Sequence, residues 1–322
     1  MTWDDVRSAA RSFGFEAMAV AGTAPVPMPE GVIHPQAMGL IAGPHEILPE
    51  AQSVLLLVMP YRPFKPNPPD AEIDAYYITS NRAHENARLL ADWLCNQGVK
   101  AVMTSSLRVK PLAARAGLGR PGRNTLIAAG RYGTRVSLQT IVTDIPCEHD
   151  DDDRHGLDER CLNCRACMEA CPTKALRGDG TLDISRCVRA QPENLPLPEA
   201  MRTLTRASLL GCDLCQRVCP RNAAVDMTDV PPDVKQALSL ERLLSGEYKA
   251  FIPLIGKNNA RKMRLLNRAV LAAAYRQRRD LLPLIEGLTD LTEPVGTHAR
   301  WAAAQLCTDD CRDMSSGTNS DL

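Results

Sequence analysis

The 322-residue sequence has little that would assign it to a class by composition alone. No apolar run approaches the roughly 18 residues of a membrane span, and residues 1–15, MTWDDVRSAARSFGF, lack the apolar segment of a secretory signal. Lysine plus arginine equals aspartate plus glutamate, at 38 each, so net charge indicates no partner. Aromatic residues make up only 4%. We therefore expect a cytoplasmic protein without a membrane partner.

Cysteine, in contrast, is abundant and unevenly placed. Eight of the 12 cysteines lie between residues 161 and 219. Disulfide frameworks are typical of small secreted domains, whereas clustered cysteines in a longer chain without a signal indicate metal ligation. The sequence therefore predicts a local metal centre.

Two cysteine motifs give that centre its chemistry. Residues 161–176 read CLNCRACMEACPTKAL, and residues 212–220 read CDLCQRVCP. The spacing C-x2-C-x2-C-x3-C-P is typical of two-cluster ferredoxins, in which the fourth cysteine ligates the other cluster. Structural zinc also uses C-x-x-C pairs. A third cysteine and a following proline in each motif favour two [4Fe-4S] clusters over zinc.

This crossover rule predicts two ligand sets. The first cluster set is Cys161, Cys164, Cys167 and Cys219. The second cluster set is Cys171, Cys187, Cys212 and Cys215. Of the four remaining cysteines, Cys95 lies on a predicted apolar helix and is expected in the core, whereas Cys147, Cys307 and Cys311 lack this spacing and are predicted to be free thiols.

The pattern around the motifs predicts the domains. Before the motifs, short apolar runs predict strands at 17–20, 54–59, 100–103 and 136–144. A helix is predicted at 86–97, with one apolar face formed by Leu89, Leu90, Trp93 and Leu94. After the motifs, the chain predicts short helices at 237–244, 263–275, 280–288 and 298–306. With a charged linker over 147–156, the predicted domains are an α/β domain (1–150), a ferredoxin-like domain (151–226), a helical-repeat domain (227–307) and a disordered tail (308–322).

A glycine loop, residues 117–125 within KPLAARAGLGRPGRNTLI, interrupts the α/β region. Gly117, Gly119 and Gly122 let the backbone approach a ligand closely, although an ordinary turn would use glycine too. The dinucleotide fingerprint follows a strand, whereas this loop follows a predicted helix, so nucleotide binding is not favoured.

A basic segment lies near the C-terminus. Residues 257–279 contain eight lysines or arginines and no acidic residue. Lys257, Arg261, Arg264 and Arg268 step by four, three and four residues, which predicts one basic stripe along a helix. Such a stripe suits nucleic-acid phosphates, and the alternative is a solvated helix face.

These motifs together resemble the epoxyqueuosine reductase family, in the same order over roughly residues 3–306. The resemblance rests on CLNCRACMEACPTKAL, GCDLCQRVCPRN, the glycine loop, IVTD and HARWAAAQL. It implies an N-terminal corrinoid-binding α/β domain, a two-[4Fe-4S] ferredoxin-like module and a C-terminal HEAT-like domain that holds tRNA. It also implies a reaction that removes the epoxide oxygen from epoxyqueuosine in tRNA, with cobalamin as cofactor. The protein would be a monomer and would receive electrons from an external donor such as flavodoxin or ferredoxin.

The resemblance also implies cobalamin-binding residues and exposes one departure. The cofactor-binding positions would be Gly117, Gly119, Gly122, Asn124, Thr125 and His84. The family has a catalytic aspartate just before the segment matching KPLA, but residues 103–108 read MTSSLR and contain no carboxylate. His84, Glu85 and Asp144 are the candidate proton donors. Two alternatives stay open: an electron-transfer protein for another corrinoid protein, and a related corrinoid reductase of a small molecule.

Overall fold

A four-stranded antiparallel sheet forms the centre of the first of two units. The computed structural model describes residues 1–26, 43–147 and 156–307. The first unit comprises residues 1–63, 78–183 and 214–226. The strands of the chain are β1 (Ala17–Ala21), β2 (Ser53–Pro60), β3 (Glu72–Ile73), β4 (Ala101–Thr104), β5 (Val136–Thr143) and β6 (Ser208–Leu210). The sheet order is β1-β2-β5-β4, and every neighbouring pair is antiparallel.

The helices follow in chain order. They are α1 (Trp3–Ser12), α2 (Ala75–Asn96), α3 (Val109–Arg115), α4 (Ala166–Ala170), α5 (Glu199–Arg202), α6 (Leu214–Arg217), α7 (Pro232–Ala237), α8 (Leu240–Leu244), α9 (Ile252–Ile255), α10 (Lys262–Tyr275), α11 (Leu282–Glu286) and α12 (Val295–Cys307). No described helix is long and apolar enough to cross a bilayer.

Strand β2 is buried on both faces because its apolar residues are continuous. Alternate side chains of a strand point to opposite faces. Leu55 and Leu57 therefore enter the core that α1 and α2 cover, while Val54 and Leu56 enter the core on the α3 side. The four strands predicted from the sequence are confirmed.

Helix α2 differs from its prediction in length and in its apolar face. It begins at Ala75 rather than at residue 86, and it ends just before Gly98, whose φ of +85° suits glycine. Ala83, Ala87 and Leu90 are buried against the sheet, whereas Leu89 is 41% exposed. The prediction for Leu89 was wrong because small alanines, and not only the large apolar residues, supply the packed face.

The second unit is mainly helical. It comprises residues 64–77, 184–213 and 227–322, and its central helix α10 packs against α8, α12 and β6. Strands β3 and β6 form a parallel pair within it. The helix predicted over 237–244 is divided into α7 and α8, because Ser239 begins α8 by accepting a hydrogen bond from the Arg242 N–H. Helices α10 and α12 confirm two of the other predicted segments.

The predicted domain boundaries at residues 150 and 226 stay predictions. The two units are each built from three separate parts of the chain. Residues 148–155 of the predicted linker, the predicted tail at 308–322 and Cys311 lie outside the described residues.

His298, on α12, is fully buried in the second unit and links two chain segments. Its Nε2 accepts a hydrogen bond from the Leu197 N–H at 2.9 Å, so Nδ1 carries the proton that is donated to Asn267 Oδ1. Burial, followed by the nearby charges of Arg202 and Arg268, lowers the pKa of His298 from 6.5 to about 4. The ring is therefore neutral in the folded protein at neutral pH.

This burial makes stability depend on pH. Between pH 6.5 and 4 the unfolded chain binds a proton at His298 that the folded chain does not, so the free energy of unfolding falls as the pH falls. We expect a loss of about 2 kcal/mol between pH 7 and pH 5, measured by urea unfolding of the full chain. The variant His298→Gln should lose this slope, whereas His45→Gln, at an exposed histidine, should keep it. An unchanged slope in His298→Gln would contradict the assignment.

Candidate metal centre

Four cysteines surround one cavity in the first unit. Cys161 ends a 3-10 turn (Glu159–Cys161), Cys167 lies in α4, and Cys219 directly precedes a second 3-10 turn (Pro220–Asn222). With Cys164 they line a cavity of about 130 Å³. These are the four cysteines of the predicted first cluster set; they line one cavity, and their ligation of a cluster stays a prediction.

The electrostatics of this cavity follow from four crowded thiols. Burial, and then the sulfurs of Cys219, Cys161 and Cys164, raise the pKa of Cys167. Burial likewise raises the pKa of Cys219. Four thiolates in one partly buried cavity need compensating positive charge, and soft sulfur ligands select iron–sulfur clusters or other thiophilic metals. The donor set and the cavity fit a [4Fe-4S] cluster held by these four side chains.

Arg123 fixes the loop that carries the first cysteines. Its guanidinium donates hydrogen bonds to the carbonyl oxygens of Cys161 at 2.7 Å, Leu162 at 2.9 Å and Gly178. Arginine has five donors in a rigid fork, which lets one side chain join three carbonyls. Sequence analysis missed Arg123, because nothing in its local sequence indicates which carbonyls it meets.

The segment after Cys219 is fixed by a second buried network. Asn222 Oδ1 accepts a hydrogen bond from the Thr134 N–H at 2.8 Å, and Asn222 Nδ2 donates to the Gln216 carbonyl oxygen at 2.8 Å. Arg221 pairs with Asp158 at 3.1 Å, and both side chains are largely buried. These bonds hold Cys219 to the first cysteine motif and to the loop that precedes β5.

The glycine loop forms one wall of the same cavity. Gly122 and Asn124 line it together with the four cysteines. A Cβ at Gly122 would lie 3.3 Å from Cys161 Sγ, and one at Gly119 would lie 2.2 Å from the Ala128 carbonyl oxygen. The absence of side chains at Gly119 and Gly122 is therefore explained by protein atoms.

The other predicted cofactor positions lie apart from these four thiols. Gly117 and Gly119 line a separate cleft of about 260 Å³ beside Arg120. Thr125 has a φ of +66°, within the turn that returns the chain to Gly122. His84 is exposed on α2. Their assignment to cobalamin stays a prediction.

The four cysteines of the second cluster set are divided between the two units. Cys171 and Cys215 belong to the first unit, and Cys187 and Cys212 to the second, so their joint ligation stays a prediction. Burial opposes ionisation of Cys171, but hydrogen bonds from Thr173 and the Ala175 N–H outweigh it and lower its pKa. Cys171 is thus prepared to bind metal as a thiolate.

The candidate proton donors lie outside the cavity of the first cluster set. Glu85 is exposed and pairs with Arg88 at 2.6 Å; the Arg88 hydrogen bond lowers the pKa of Glu85. Asp144, at the end of β5, accepts a hydrogen bond from the Lys100 N–H at 3.0 Å. The structure does not bring Glu85, Asp144 and His84 together at either cleft described above.

The predicted basic stripe is corrected by the structure. Lys257 precedes helix α10, and Arg261 is its N-terminal cap, so only Arg264 and Arg268 lie on the helix. Arg264 pairs with Glu193 at 2.6 Å, and burial, followed by the charge of Arg264, lowers the pKa of Arg268. The stripe was predicted wrongly because spacing alone shows neither where the helix begins nor which carboxylate lies beside it.

Comparison with known proteins bears on the cysteine region first. Residues 160–222 match the family described as the 4Fe-4S double cluster binding domain. This match covers all eight cysteines of the two predicted sets. The match identifies the region as a 4Fe-4S double cluster binding domain and favours [4Fe-4S] clusters over zinc.

Similarity extends over the rest of the chain. The epoxyqueuosine reductase of Lactococcus garvieae is 39% identical over 39% of this chain and 35% of its own length, and that of Staphylococcus aureus is 31% identical over 66% of this chain and 57% of its own length. The chain thus spans less than two thirds of these relatives. A crystal structure of epoxyqueuosine reductase with an epoxyqueuosine-modified tRNA-Tyr stem loop shares the fold, with a TM-score of 0.78, 24% identity and coverage of 99% of this chain and 95% of that one. The cysteine region, the whole-chain fold and these relatives make the chain similar to epoxyqueuosine reductases.

Proposed function

We propose that this protein reduces epoxyqueuosine in tRNA to queuosine. The observation that carries the proposal is the cavity formed by Cys161, Cys164, Cys167 and Cys219, within a chain similar to epoxyqueuosine reductases. Converting an epoxide to an alkene breaks two C–O bonds and releases the oxygen as water. The reaction consumes two electrons and two protons, so it needs an electron supply of the kind that two clusters provide.

Cobalamin is the second cofactor that we propose. Similarity to epoxyqueuosine reductases supports it, whereas the glycine loop adds no separate support, because protein atoms already explain Gly119 and Gly122. When bound, cobalamin would supply the reduced metal centre that acts on the epoxide. The four cysteines would hold the first cluster, and Arg123 would keep their loop in place.

The proton donor is a further part of the proposal. Residues 103–108 contain no carboxylate, so another group must donate a proton to the leaving oxygen. Glu85 is the weakest of the three candidates, since its pairing with Arg88 favours the ionised carboxylate. We retain His84 and Asp144.

We further propose that helices α7–α12 form a HEAT-like domain that binds tRNA. The protein would act in the cytoplasm. Lys257 and Arg261 are exposed and suit phosphate contacts, while Arg264 and Arg268 are partly buried. The protein would act as a monomer and receive electrons from a small carrier such as flavodoxin or ferredoxin.

Anaerobic turnover tests the proposal. The protein is reconstituted with iron, sulfide and cobalamin, given a strong reductant and tRNA carrying epoxyqueuosine, and the digested nucleosides are analysed by mass spectrometry. We expect queuosine to form, and tRNA that lacks the modification serves as the control. Failure to form queuosine, with cobalamin bound and both clusters reducible, would contradict the proposed substrate.

A further inference from the structure

Asn124 has a buried amide nitrogen that the protein leaves unsatisfied. The residue is 5% exposed, and its Nδ2 has no hydrogen-bond partner among the residues that the structure describes. Its Oδ1 accepts a hydrogen bond from the Leu126 N–H at 3.2 Å, which fixes the orientation of the amide. Buried polar groups are nearly always hydrogen-bonded, so an unpaired donor here points to a missing acceptor.

The surroundings of Asn124 identify that acceptor. Asn124 lines the cavity of the first cluster set, and the Cβ position of Gly122 lies 2.9 Å from Asn124 Oδ1 and 3.3 Å from Cys161 Sγ. The amide and the sulfur therefore lie beside the same glycine. No carboxylate or carbonyl of the described protein takes the Nδ2 proton. Sulfur is thus the acceptor that this cavity offers once a cluster is bound.

Three other side-chain donors of the cavity wall already have partners. Arg123 donates to backbone carbonyls, Thr134 bonds with Gln216 and Asn222, and Arg221 pairs with Asp158. The unsatisfied amide of Asn124 is therefore distinct from its neighbours in the cavity wall.

We propose that Asn124 Nδ2 donates a hydrogen bond to a sulfur of the first cluster, either a sulfide or the Cys161 thiolate, and thereby raises the reduction potential of that cluster. A hydrogen bond to sulfur stabilises the reduced cluster more than the oxidised one, because the reduced cluster carries more negative charge. Asn124 thus acts on the potential through the cluster sulfur. The inference concerns electron supply and does not depend on which substrate is reduced.

Redox titration monitored by EPR tests this role without any substrate. In Asn124→Leu, which keeps the side-chain size but removes the donor, we expect the first cluster to become harder to reduce. At a fixed ambient potential its oxidised-to-reduced ratio should rise about tenfold, which equals about 59 mV for one electron. Asn124→Asp keeps an acceptor for the Leu126 N–H but replaces the donor by a negative charge, so it should shift the potential in the same direction.

Two controls separate tuning from general damage. The second cluster should keep its potential in both variants. Asn67→Leu removes a buried amide of the other unit that donates to the Ala71 carbonyl oxygen at 3.4 Å, and it should change neither potential. Unchanged potentials of both clusters in Asn124→Leu and Asn124→Asp, at full iron content, would overturn the proposal.

Pulsed EPR gives an independent decision if a variant does not retain its cluster. In wild-type protein with ¹⁵N in its asparagine side-chain amides, the reduced first cluster should show a ¹⁵N hyperfine coupling. Absence of this coupling in the wild-type protein would overturn the proposal whatever the variants do.

Discussion

Replacement of Cys219 by alanine is expected to remove half of the iron and to abolish reduction of the proposed substrate. Cys219 lines the same cavity as the three cysteines of the first motif, although it lies in the second motif. A [4Fe-4S] cluster needs four thiolates, and alanine provides no ligand. The cluster of the first set should be lost, while the second set keeps all four of its cysteines. Iron and sulfide analysis of reconstituted Cys219→Ala, with the turnover assay, measures both effects.

The matched control is Cys307→Ala. Cys307 is exposed at the end of α12, and its spacing does not suit a cluster. We expect this variant to keep its iron and its turnover. Full iron content in Cys219→Ala would show that Cys219 is not a cluster ligand.

The cysteine spacing predicted the first cluster set because the crossover is a property of the motif itself. Three cysteines at three-residue steps face one metal site, and the C-P ending sends the fourth to another. The shared cavity of Cys219 and Cys161 could therefore be expected from sequence alone. The strands β1, β2, β4 and β5 were predictable for a similar reason, since short apolar runs carry a local signal.

The role of the glycine loop was not predictable in the same way. Glycine chemistry indicated that the backbone at Gly122 could approach a ligand, and the resemblance implied that Gly122 and Asn124 bind cobalamin. The structure puts both residues on the wall of the first cluster cavity. This depends on how the loop after α3 meets Cys161, which is a tertiary contact. Arg264 illustrates the same limit, since its partner Glu193 lies far away in sequence.

Gly133 packs directly against the segment that follows Cys219. Its φ of +57° and ψ of −139° are strained for any residue with a side chain. A Cβ there would lie 2.2 Å from Asn222 Oδ1 and 2.4 Å from the Arg221 carbonyl oxygen. Both atoms belong to the segment directly after Cys219 and Pro220. An added methyl group must therefore displace the turn that positions a cluster ligand.

We expect Gly133→Ala to destabilise the protein by roughly 3–5 kcal/mol, as the combined cost of backbone strain and overpacking. The first cluster should be lost more quickly to a chelator, because Cys219 no longer keeps its place. Gly130→Ala is the matched control: its φ is also positive, at +49°, but no atom lies within 4 Å of its Cβ position. That variant should cost only about 1 kcal/mol and keep its cluster. The two variants could instead show equal unfolding free energies and equal rates of iron loss. That result would show that the contact of residue 133 with Arg221 and Asn222 does not position Cys219.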